Sequence, residues 1–283
     1  MNRLLLAPLF ALSACSGPSL LTGLDRLTPG DRARQVASGV PFTPQLKLDV
    51  YAPRGKPARP LPVVIFYYGG GWAAGSRGGY GFAGNAYASR GFVAVVPDTR
   101  LVPGVRFPAF LEDSAMAVKW TRDNIARYGG DPKRISVAGH SAGAYNAAMI
   151  ALDPHYLRDI GVDPKIIRSA ALLAGPYDFL PLNEQRGRDA LGGWPRPAET
   201  QPISFVTRAA PPMLLAAGTA DTIVQPRNSE ALAARLRQAG VAAELKLYPG
   251  KSHVDLAKSL SKPFRAATPA LADSVAFMDE HSR

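Results

Sequence analysis

A serine hydroxyl becomes a nucleophile only when a base can take its proton and the negative charge of the attacked carbonyl is held. The stretch Gly139-His140-Ser141-Ala142-Gly143 offers such a serine in a G-x-S-x-G setting. Residues Ile135 to Ala138 before it read as a buried strand, and the alanine-rich residues after it read as a helix. A turn that sharp pushes Ser141 out at the carboxyl end of a sheet, while Gly139 and Gly143 let strand and helix come close. The five-residue pattern is weak by itself in a chain with 27 glycines. Its meaning depends on a base, an acid and an oxyanion-binding group within reach.

The chain has four histidines: His140, His155, His253 and His281. His140 precedes Ser141 on the turn and should point elsewhere. His155 lies past the following helix, and His281 is close to the C-terminus. His253, in Tyr248-Pro249-Gly250-Lys251-Ser252-His253, follows the last strand, on a loop that can reach back to the serine. The acid that orients this base should precede it in a Ser–acid–His order. Asp221, in Gly218-Thr219-Ala220-Asp221, follows the strand that opens at Met213. Asp178 and Asp255 compete, but neither combines a strand end with that order. For the oxyanion, one backbone N–H should come from Ala142 and another from the loop Tyr67-Tyr68-Gly69-Gly70-Gly71-Trp72, whose glycines permit a strained, close approach. A glycine run can also cradle phosphate, but the G-x-x-x-x-G-K-[ST] pattern is absent.

These residues need a scaffold that brings several strand ends to one edge. Leu46, Leu48 and Val50 alternate with polar residues and predict a half-buried strand. The continuous apolar runs Pro62–Tyr68 and Phe92–Val96 predict buried central strands. Further strands are expected at Ile135, Ser169–Ala174, Met213–Ala217 and Leu245–Tyr248. Helices are expected over Phe107 to about Tyr128, Ala142–Leu152 and Asn228–Ala239, with Gly240 as a stop. A last helix should open at Thr268-Pro269, with Thr as N-cap and Pro at the first position. Strands alternating with helices predict an α/β fold with a mostly parallel sheet covered on both faces. Residues 176–212, rich in Gly and Pro, read as a small insertion over the carboxyl edge.

The ordered set YYGGGW (67–72), PDTRL (97–101), FPAFLED (107–113), GGDPKRISVAGHSAGA (129–144), PPMLLAAGTADTIV (211–224) and LYPGKSH (247–253) resembles the α/β-hydrolase family. It is most similar to the hormone-sensitive-lipase-like esterases and the bacterial acetyl and feruloyl esterases (BD-FAE-like). The resemblance runs from about Leu46 to Phe277. It implies an α/β-hydrolase fold, nucleophile Ser141, acid Asp221, base His253 and oxyanion donors on the backbone of Gly70, Gly71 and Ala142. Asp98, Arg100 and Asp113 match positions that look structural in the family. Tyr68 stands where the family usually has His. The function implied is a serine carboxylic-ester hydrolase for small acyl, acetyl or aryl esters, using no metal and no cofactor. An amide hydrolase of arylformamidase or peptidase type, an acyl transferase and a catalytically inactive binding module are the alternatives; no propeller-sized N-terminal region is present to favour the peptidase.

The bulk properties fit this reading. The 283 residues are 47% hydrophobic and 19% charged, a globular composition. The net charge of +11 comes from basic residues spread along the chain with no dense run, so nucleic acid is not the expected partner. A salt-sensitive attraction to anionic lipid headgroups is compatible with it. The first residues are the informative exception. Met1-Asn2-Arg3 is a short positive stretch, Leu4 to Leu12 is apolar, and Leu12-Ser13-Ala14-Cys15 carries the chain's one cysteine. That order reads as an export signal over 1–14. Its end resembles a bacterial lipobox, which implies lipidation of Cys15, and Ser16 after it resembles the pattern that sorts lipoproteins to the outer membrane. The expected organisation is a leader over 1–14, a tether over 15–42 and one catalytic domain over 43–283, anchored by lipid in a bacterial cell envelope.

Overall fold

The computed structural model describes residues 13–55 and 57–282, with the backbone alone for 13–16. Eight strands form one sheet: β1 (Ala33–Pro41), β2 (Lys47–Pro53), β3 (Leu61–Tyr67), β4 (Val93–Pro97), β5 (Gly130–His140), β6 (Ile167–Leu173), β7 (Met213–Gly218) and β8 (Ala243–Tyr248). Nine α-helices accompany them among the described residues: α1 (Ser13–Leu27), α2 (Gly81–Ala88), α3 (Ala109–Asn124), α4 (Ala142–Leu152), α5 (His155–Arg158), α6 (Gln185–Leu191), α7 (Arg227–Gln238), α8 (His253–Lys258) and α9 (Ala270–His281). The strand order is β1-β2-β4-β3-β5-β6-β7-β8. Pairs β1/β2 and β2/β4 are antiparallel, and every pair from β4 to β8 is parallel. This is the expected α/β-hydrolase architecture.

Period-two alternation sorts the buried strands onto two layers. Val63, Ile65 and Tyr67 of β3 face one core with Phe110 and Leu111 of α3, Tyr145 and Met149 of α4, and Leu232 of α7. Val64, Phe66 and Tyr68 face the other, with Phe82 and Tyr87 of α2, Leu256 of α8 and Leu271 and Met278 of α9. The chain passes from β3 outward to β4, then returns across β3 to β5. Loops leaving β3 and β5 therefore part in opposite directions and leave a crevice at their carboxyl ends.

The segment expected as a tether with an irregular lead-in instead forms α1 and β1. Partners far away in sequence hold them: Thr22 Oγ1 donates to the Gly79 carbonyl at 2.7 Å, and Lys262 N–H donates to Asp25 at 2.7 Å. The last helix starts one residue later than its cap signal, at Ala270, whose N–H donates to Thr268 Oγ1 at 3.2 Å. The leader expected over 1–14 lies almost wholly outside the described residues, as does the Cys15 side chain. Among the described residues no helix is long and apolar enough to cross a membrane.

Candidate active site

Ser141 sits between β5 and α4 with φ 56° and ψ −125°. A non-glycine residue at positive φ costs about 1–3 kcal/mol and persists only where its surroundings over-determine it. Here Ser141 N–H donates to the Leu173 carbonyl of β6 at 2.9 Å, and the Ser141 carbonyl accepts from Tyr145 N–H at 3.1 Å. The flanking glycines are forced by space. A Cβ on Gly143 would stand 2.0 Å from the Tyr67 carbonyl oxygen of β3, and one on Gly139 would stand 2.4 Å from the Gly143 carbonyl carbon. The turn thus wedges α4 against two strand ends and fixes where the hydroxyl emerges.

His253 Nε2 lies 2.9 Å from Ser141 Oγ, and His253 Nδ1 lies 2.8 Å from Asp221 Oδ2. The other Asp221 oxygen accepts from Ile223 N–H at 2.9 Å and Val224 N–H at 2.8 Å. Both carboxylate oxygens are therefore committed, and the imidazole has one tautomer that satisfies its neighbours, with the proton on Nδ1 and the lone pair toward the serine. His253 is not on a free loop, as its sequence position suggested. It opens α8, behind a capping box in which Ser252 and Asp255 satisfy each other's backbone N–H groups. The signal was present as Ser252-x-x-Asp255. That arrangement also accounts for Asp255, whose carboxyl is held below its usual range by the Ser252 hydroxyl and N–H.

The acid and base loops are stitched together. Ala220 N–H donates to the Lys251 carbonyl at 3.0 Å, Gly250 N–H to Thr219 Oγ1 at 2.8 Å, and Thr219 N–H to the Tyr248 carbonyl at 3.0 Å. A Cβ on Gly218 would stand 2.1 Å from the Lys251 carbonyl oxygen.

The glycine loop after β3 faces the same place. Gly70 (φ 139°) and Gly71 (φ 61°) hold backbone conformations that side chains resist. Ala142 is the first residue of α4, so its N–H has no acceptor within the helix and sits at the positive end of the helix dipole. Trp72 ties the loop to α4 through Nε1–H donated to Asn146 at 3.2 Å and an edge-on contact with Tyr145. Tyr68 braces it from below. Its hydroxyl accepts from Thr99 N–H at 3.2 Å, its ring stacks on Tyr80, and burial raises its pKa to about 12. Arg100 forks onto Asp113 at 2.8–2.9 Å, and Arg77 joins Asp49 and Asp98, so the three residues expected to be structural hold the segments around the loop.

His140 was expected to point away from the reacting groups. It packs against the base instead, because the first turn of α8 comes down on the end of β5. The two rings are 4.7 Å apart, and His140 Nε2–H donates to the His253 carbonyl at 3.0 Å. His140 Nδ1 is buried without a partner among the described residues. Burial first, and the neighbouring His253 second, lower the His140 pKa to about 3, so the ring is neutral. The other histidines are elsewhere: His155 beside Asp153 and His281 on the Phe277 carbonyl of α9.

A family model described as BD-FAE matches residues 48–236. The chain belongs to the BD-FAE family. The match covers the glycine loop, the serine turn and Asp221. Among curated proteins, the BD-FAE chain is 34% identical to Esterase LipC of Mycobacterium tuberculosis over 69% of its own length and 53% of that protein's. It is 31% identical to a probable isoprenylcysteine alpha-carbonyl methylesterase of Oryza sativa over 82% of its own length and 59% of that protein's. It thus spans little more than half of either relative. Among solved structures, Thermogutta terrifontis esterase 2 phosphonylated by sarin superposes with a TM-score of 0.73 at 27% identity, over 89% of the BD-FAE chain and 95% of that one.

Proposed function

We propose that the protein is a serine carboxylic-ester hydrolase working through an acyl-enzyme on Ser141. One observation carries the reading: an unbroken hydrogen-bonded line from Asp221 through His253 to Ser141 Oγ, with both His253 bonds under 3 Å. His253 Nε2 takes the serine proton as Oγ attacks the ester carbon. Asp221 stabilises the imidazolium without taking its proton. Backbone N–H groups of Gly70, Gly71 and Ala142 receive the oxyanion. His253 then protonates the leaving alcohol, and water repeats the sequence on the acyl-enzyme. The esterase names of the relatives support an ester over an amide. The short segment 176–212, with a single two-turn helix in α6, favours small acyl, acetyl or aryl esters over long acyl chains.

A fluorophosphonate probe should label the native chain and lose its label in Ser141→Ala, with hydrolysis of a short-chain aryl ester lost in parallel. Full activity in Ser141→Ala would reject the reading. The N-terminal pattern supports a second, separate proposal: export and lipidation at Cys15, on a bacterial envelope membrane. Radiolabelled palmitate should enter the native chain and not Cys15→Ser; label retained in the variant rules lipidation at that residue out.

A further inference from the structure

We propose that α1 and the cavity beside it form a docking surface for an anionic lipid bilayer. The inner side of α1 is fixed. Thr22 is bonded to Gly79 and accepts from Phe82 N–H at 3.2 Å, and Asp25 is buried against Lys262. The helix cannot roll, so its outer side is permanently presented. That side exposes Leu20 (64%), Leu24 (46%) and Leu27 (83%), spaced i, i+4, i+7 in one line. Phe264, on the 3-10 turn Lys262–Ala267 that packs against α1, is a further exposed apolar side chain.

On the flank of this line lies a cavity of about 240 Å³. Arg26, Arg34, Arg54 and Lys262 line it, Lys262 being paired with Asp25 at 3.8 Å, and Asp31 is the one carboxylate on the wall. Asp31 is already committed to a two-pronged ion pair with Arg265 at 2.6 and 2.9 Å. The cavity therefore presents a net positive field. Asn85, also on its wall, has a buried amide oxygen without a partner among the described residues. Turned over, that amide offers N–H donors to an anion instead.

The two features share Arg26 and one helix, and together they specify one occupant. A soluble anion would need the cations but not the leucines, and a purely apolar partner the reverse. A phosphate-bearing headgroup with acyl chains beside it needs both. The surface does not depend on acylation of Cys15.

Full-length Cys15→Ser protein, floated at fixed ionic strength, should prefer vesicles of phosphatidylcholine with phosphatidylglycerol over phosphatidylcholine alone by about tenfold or more. Arg26→Gln with Arg34→Gln should abolish most of that preference. Leu20→Gln, Leu24→Gln and Leu27→Gln together should weaken binding to both vesicle types. Hydrolysis of a soluble short-chain ester should be unchanged in both variants, which separates this surface from the catalytic reading and reports that each variant has folded. Equal binding to the two vesicle types, or a preference that survives the arginine changes, overturns the proposal. Inorganic phosphate or single-stranded DNA bound through the same arginines without any vesicle preference also overturns it.

Discussion

His253 uses three groups at once: Nε2 toward Ser141, Nδ1 toward Asp221 and its backbone carbonyl toward His140. The third contact makes His140 a positioning residue for the base, and burial makes it sensitive to acid. Its folded pKa of about 3 lies below the ordinary 6.5, so the unfolded chain takes up this proton first as pH falls. The stability it confers is complete above pH 6.5 and drains away toward pH 3. The titratable groups facing it are His253 and Asp221, the first opposing and the second favouring its protonation. His140→Gln keeps a donor for the His253 carbonyl and removes the titration. Between pH 7 and pH 5 the native chain should lose about 2 kcal/mol that the variant does not. Urea unfolding at the two pH values measures this, and equal losses would contradict it. Ser141, Asp221 and His253 were legible in the sequence because each follows a strand and their order in the chain is restrictive. The His140 contact was not, because nothing local shows that α8 lands on the end of β5.

At the scale of elements, the pairing of the Asp221 and His253 loops matters more than either loop alone. Gly218 is where they come closest, and its missing side chain is what allows it. Gly218→Ala must displace the Lys251 carbonyl, and a shift of about 1 Å between base and nucleophile costs on the order of a hundredfold in rate. We expect kcat/KM to fall by about that factor, chiefly through kcat, with Gly78→Ala, whose added methyl meets open space, close to native. A normal rate in Gly218→Ala would show that the loops are not rigidly coupled. The buried strands were read from their apolar runs, α4 from the alanine-rich stretch after the serine turn, and α7 up to its Gly240 stop. The helices α2 and α8 escaped notice, being short and, in α2, buried on nearly all sides, which erases the amphipathic signal.

For the whole molecule, the largest surprise is the N-terminal region. Its Gly, Pro and Arg content reads as a tether, yet it is bound into the fold by contacts such as Asp25 to Lys262, 237 residues apart. Propensity cannot report partners that distant. The strand it contributes, β1, ends the sheet on one side. Its pairing with β2 is broken by shifts between Gln35 and Ala37 and again between Ala37 and Val40, Gly39 turns through φ 64°, and Pro41 closes it. The opposite edge, β8, carries the exposed ion pair of Glu244 and Lys246. Irregular pairing and charge are what keep an open edge from templating another strand. Molecules packed densely side by side can therefore jostle without their sheets fusing into fibres or aggregates.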